Sequence, residues 1–115
     1  MEPSKTSSEK IKKLYDISDL DMIIMKKVST AARYELVAEE AIELAHATLK
    51  IARILRGDNP TPATMLEAKT AAEEELNDLV NAVNVTDLRV DLDSRIEKMK
   101  RWIKRLEASN VYDNA

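Results

Sequence analysis

The chain has 115 residues, a formal net charge of −3 and 34% charged residues, which suits one domain with one modest core and gives no general attraction to nucleic acid. It has no Cys and one His, which excludes disulfides, zinc-thiolate sites and the usual His-rich metal centres, and weighs against a Ser-His-Asp arrangement. No apolar run is long enough to cross a bilayer, and Met1 to Lys10 is polar with no signal-peptide core, so a soluble, cytoplasmic protein without membrane or nucleic-acid partners is expected.

One Gly, three Pro, no Phe and an abundance of Ala, Leu, Glu and Lys predict an all-α chain. Met1 to Ser8 reads as a frayed tail, with Ser7 or Ser8 capping a short helix to about Tyr15. Ser18 offers a second start, with Asp19 and Asp21 in the favourable first turn. Met22 to Met25 is an apolar patch that reads as packed helix, or helix and connector; a membrane-surface segment is the less favoured alternative, because the patch is short and uniform around the helix.

A long helix should run from Ser29 or Thr30 to Arg56, with Gly57 as its C′ residue and Arg53 and Arg56 at its negative end. Leu36 and Ile54 lie on one side of it, Val37, Leu44 and Leu55 on another, and Ile42 and Leu49 on a third. A chain this small cannot cover such a surface alone, so helices of two copies are expected to form one bundle.

Gly57 to Pro62 is the clearest loop, with Thr61 as cap and Pro62 opening a third helix that runs to about Val90. Ala63, Ala68, Ala71 and Ala72 permit close helix approach in its first half. A break at Asp91 to Asp93, either of which could cap, precedes a basic last helix from Ser94 to about Ser109, after which Asn110 to Ala115 should fray. The expectation is a single domain over residues 1–115, flexible near 1–8 and 110–115: a bundle of about four helices completed by homo-oligomerisation. Trp102 is expected in the bundle or at the subunit interface, and Met22, Met25, Met65 and Met99 as core filler.

Two acidic pairs carry the chemistry. In Glu39-Glu40-Ala41-Ile42-Glu43, residues Glu40 and Glu43 share a helix face, and in Glu75-Leu76-Asn77-Asp78 so do Glu75 and Asp78. Their neighbours at helical spacing are apolar: Leu36, Ala47 and Ile54 beside the first pair, and Ala68, Ala71, Leu79 and Ala82 beside the second. Carboxylates converging on such a seam repel one another and lose hydration unless protons or cations sit among them. Oxygen-only ligands point to a hard ion, Mg²⁺ or Mn²⁺. A single ExxE is most often a solvated helix surface; two pairs on apolar stripes of consecutive helices favour the buried reading.

This pattern, EExxE on one helix and then ExxD on the next, resembles the MazG-like, all-α nucleoside triphosphate pyrophosphohydrolases over roughly Tyr34 to Leu106. The resemblance implies that Glu40, Glu43, Glu75 and Asp78 hold Mg²⁺, and that Glu39 supports them from behind or sits on the surface. It implies hydrolysis of a (d)NTP between the α and β phosphates, with Glu40 or Glu43 as catalytic base, in nucleotide-pool housecleaning or control. A bundle completed by dimerisation, or by pairing of dimers into a homotetramer, is also implied. Val80, Asn81 and Ala82 follow Asp78 where the related phosphoribosyl-ATP enzymes often carry Tyr-His, which counts against the histidine-pathway role.

For the flanking cations two readings stand. Lys50, on the Glu43 stripe, meets a phosphate or pairs with a ligand carboxylate. Lys100, Arg101, Lys104 and Arg105 reach the polyphosphate or form a solvated face, the commoner case on terminal helices. His46 among apolar helix residues is more often structural than a ligand or base. The rival functional class is a non-catalytic helical interaction or regulatory protein, which leaves the carboxylates unexplained. A carboxylate-bridged di-iron bundle needs two Glu-x-x-His pairs, and only Glu43 with His46 is present.

Overall fold

The computed structural model describes residues 5–57 and 62–109. The proposed cap Thr61, most of the Gly57–Pro62 loop, the first four residues and Asn110 to Ala115 lie outside them. The described residues form four helices and no strand: α1 (Lys5–Lys27), α2 (Thr30–Arg56), α3 (Met65–Asn84) and α4 (Leu92–Ser109).

α1 is one helix where two were expected. Ser7, Ser8 and Ser18 all lie within it rather than before its first turn. The segment contains neither Gly nor Pro, so no residue in it forces a break. α2 matches its expected bounds. The Ser29 hydroxyl accepts from the Ala32 N–H at 3.2 Å, and Gly57, at φ 67°, donates its N–H to the carbonyls of Arg53 and Ile54. That left-handed conformation strains any residue with a side chain.

α3 is shorter than expected at both ends. Thr64 caps it through a reciprocal box: its hydroxyl accepts from the Glu67 N–H at 3.1 Å, and its own N–H donates to Glu67 Oε1 at 3.2 Å. The helix stops at Asn84 because Thr86 closes it, donating its N–H and its hydroxyl to the Val83 carbonyl at 3.0 and 2.7 Å. Of the two candidate caps for α4, Asp91 is used; its carboxylate accepts from the Asp93 N–H and its carbonyl from the Arg95 N–H.

α2 and α3 form an antiparallel hairpin, the only pair of helices packed along its length among the described residues. The core is built on small residues: Ala68, Ala72 and Ala82 are buried on α3, against half-buried Leu36, Val37, Leu44, Ala47, Ile51 and Ile54 on α2. Alanines on one side let the two backbones approach closely and leave the fit to the branched chains opposite. The open end of the hairpin is locked by side chains. Arg33 donates to the Val85 carbonyl at 2.8 Å and to Thr30 Oγ1 at 3.0 Å, and the Tyr34 hydroxyl donates to the Asp87 carboxylate. Val85 and Thr86, beneath these contacts, are buried.

α1 and α4 are not packed along this hairpin, and their apolar residues are exposed. Trp102, Met22, Met25 and Met99 therefore do not fill a core within one chain; only Met65 of the four methionines is half-buried. Ile42, Leu49 and Leu55, on the side of α2 away from α3, are also exposed.

Candidate functional site

Glu40 meets the Glu75–Asp78 pair midway along the α2–α3 seam. Antiparallel pairing sets Glu40 opposite the turn of α3 that carries Glu75 and Asp78, and one carboxylate oxygen from each of the three lies within 4.8 Å of the others. Glu40 and Glu75 are half-buried and Asp78 is exposed, so the cluster opens on one side of the seam. The Glu40 carboxyl is held above its usual range, first by partial burial and then by the charges of Asp78, Glu75, Glu43 and Glu39.

These three residues could hold a hard divalent cation. Mg²⁺ takes oxygen ligands at about 2.1 Å, so opposite ligands stand about 4.2 Å apart. Adjacent ligands stand about 3.0 Å apart, so the three oxygens, spread over no more than 4.8 Å, would have to draw together to share one ion. Mn²⁺ accepts the same donors.

Glu43 is outside the triad. One turn further along α2, it lines a cleft of about 290 Å³ together with Glu75. The floor of the cleft is Ala47, Ala68 and Ala71, and its far end is Lys50 and Arg53, with His46 between the two ends. Glu39 is exposed and contributes least among the charges that act on Glu40.

No protein-family model, curated protein or solved structure matches this chain.

The expected phosphate contacts divide. Lys50 is on the carboxylate cleft. Lys100, Arg101 and Lys104 are exposed on α4, which is not packed along α2 or α3; Lys100 is 3.6 Å from Glu97 of its own helix. Within one chain these three are not brought to the carboxylates. Arg53 is the residue that sequence reasoning missed, having been read only as a charge at the helix end. Its spacing was the available signal: Glu43, His46, Lys50 and Arg53 recur at three and four residues, which is one flank of a helix.

Proposed function

We propose that the chain is a Mg²⁺-dependent nucleoside triphosphate pyrophosphohydrolase, converting a (d)NTP and water to a (d)NMP and pyrophosphate. Nucleotide-pool housecleaning or control in the cytoplasm is the setting such a reaction fits. The observation that carries the reading is the convergence of Glu40, Glu75 and Asp78 on a half-buried seam. Three mutually repelling carboxylates on a helix seam cost packing stability, which a bound cation would offset.

In the reaction, the water oxygen bonds to the α-phosphorus and the bond from that phosphorus to the α–β bridging oxygen breaks. The electron pair leaves with pyrophosphate. Glu40, Glu75 and Asp78 would hold the cation, and Glu43, beside but outside the triad, would take the proton of the water. A bound divalent ion offsets the repulsion between carboxylates and polyphosphate and stabilises charge on the phosphoryl oxygens. The test is pyrophosphate release from a panel of NTPs and dNTPs with Mg²⁺, Mn²⁺ or EDTA. Metal-dependent release with a monophosphate as co-product is expected; no release from any member, with no metal binding by calorimetry, removes the reading.

The same proposal includes a second copy of the chain, as a homodimer or homotetramer. The chain exposes 9804 Å², where a compact monomer of 13.0 kDa exposes about 6,300 Å². Its radius of gyration is 18.7 Å against about 13 Å for a compact chain of this length. The exposed apolar residues of α1, α4 and the outer side of α2 supply the surface that another copy would cover.

That surface also favours a second functional reading, a non-catalytic helical interaction protein. Exposed Ile11, Leu14, Ile23, Ile96 and Ile103 suit a partner helix whether or not the carboxylates are active. The two readings part on the turnover assay.

A further inference from the structure

We propose that the cleft beside the carboxylates fixes the direction in which a triphosphate lies. The α-phosphate stands over Glu40, Glu43, Glu75 and Asp78, and the β and γ phosphates run along α2 to Lys50 and Arg53. This rests on the hydrolase reading above and adds to it the group that holds the leaving pyrophosphate.

Charge along the cleft changes sign in one direction, from Glu43 and Glu75 at one end to Lys50 and Arg53 at the other. Neither cation forms an ion pair among the described residues, so both are free to meet an anion. Lys50 and Arg53 lie about 10 and 15 Å along the helix axis from Glu43, at about 1.5 Å per residue, a span longer than a triphosphate tail, so each side chain must reach back along α2 to meet it. Helical side chains lean toward the N-terminus, so both cations lean back toward the carboxylates. Arginine forks onto two phosphate oxygens and lysine supplies a point charge, a suitable pair for a diphosphate. The cleft, at about 290 Å³, has room for a phosphate tail. Ala47, Ala68 and Ala71 keep it open, since any larger side chain there would occupy it.

The experiment is calorimetric titration of Mg²⁺-pyrophosphate and of Mg²⁺ alone, with steady-state kinetics. Arg53→Gln and Lys50→Ala should each weaken pyrophosphate binding about tenfold or more and raise KM, with Mg²⁺ affinity unchanged. Ala71→Leu should do the same without touching a charge. Lys69→Ala, a helix-surface cation outside the cleft, should do neither. Lys50 and Arg53 are exposed on one flank of α2, and circular dichroism checks that the variants fold. If wild type hydrolyses (d)NTPs while the cleft variants bind pyrophosphate unchanged, the polarity is overturned and the hydrolase reading stands. If wild type neither hydrolyses nor binds Mg²⁺, both fall.

Discussion

A carboxylate oxygen of Glu40 on α2 lies within 4.8 Å of one on Asp78 on α3, and after partial burial the Asp78 charge contributes most to raising the Glu40 carboxyl above its usual range. The two sit on facing helices, so their repulsion acts directly on the only packed helix pair among the described residues. The hairpin holds them together through the apolar residues on either side, Leu36 and Leu44 on α2 and Ala72, Leu79 and Ala82 on α3.

Replacing Glu40 by Gln removes one ligand and one repulsive charge at nearly constant volume. Metal-dependent turnover should fall by at least about a hundredfold, because that carboxylate stands where charge must be neutralised in the transition state. Helicity should be retained, and the unfolding midpoint in EDTA should equal or exceed that of wild type. Chemical denaturation and pyrophosphate release on the same preparation check both. Retained turnover would take Glu40 out of the ligand set.

The raised Glu40 pKa sets the sign of the pH dependence. The folded state binds this proton more tightly than the unfolded chain, whose ordinary value is 4.5. Its stabilising contribution is therefore full at acid pH and lost as pH rises from 4.5 through the folded value. Metal binding needs the ionised form, so the gain from Mg²⁺ should run the other way, growing over the same window. At about 100 times its Kd the ion adds about 2.7 kcal/mol. Thermal melts from acid to neutral pH, with Mg²⁺ and with EDTA, read both slopes; an equal Mg²⁺ effect at every pH would disconnect the ion from Glu40.

The acidic register was legible in the sequence because i and i+3 spacing fixes a face wherever the helix begins. Glu40, Glu75 and Asp78 needed only that α2 and α3 be antiparallel, which a short connection between long helices favours. The ends of α3 were misread for local reasons. Thr64-Met65-Leu66-Glu67 is a capping box, a stronger start than Thr61 with Pro62. The stop at Asn84 has no Gly or Pro to announce it; it depends on Thr86 closing the helix and on Arg33, fifty-two residues away, holding the Val85 carbonyl. Such a contact exists only once the hairpin forms. Arg53 is hidden for the opposite reason: a helix-end charge already accounts for it in the sequence, and only the folded cleft sets it on one flank with Glu43 and Lys50.

Arg33 closes the open end of the hairpin. Its guanidinium bridges the Val85 carbonyl and the Thr30 hydroxyl, while its Nε is buried without a partner among the described residues. Arg33→Lys keeps the charge and loses the fork. The partly buried Val85 carbonyl then loses its donor, at a cost of about 1–3 kcal/mol. Urea denaturation should show that loss, with local hydrogen exchange rising first at Val85 to Asp87. An unchanged midpoint would mean that the Tyr34 hydroxyl, on Asp87, holds this end alone.

On α4, Leu92, Ile96, Met99, Ile103 and Leu106 follow one another at four- and three-residue steps, the spacing of a helix–helix seam. All five are exposed in the single chain, Ile103 to 51% and Met99 to 51%. Burying an aliphatic side chain contributes about 1.5–3 kcal/mol, and in a symmetric pair each seam residue counts twice. Ile103→Glu should therefore cost more than one such increment, because a buried charge replaces a lost contact. Sedimentation equilibrium should find wild type as a dimer or tetramer and the variant shifted toward the 13.0 kDa chain, by at least about a hundredfold in dissociation constant. Trp102 flanks the seam and reports the same event through its fluorescence, with red-shifted emission in the variant as its ring meets water. A wild-type protein that sediments at 13.0 kDa would leave α4 without a second copy to cover it, and the homo-oligomer reading would fail.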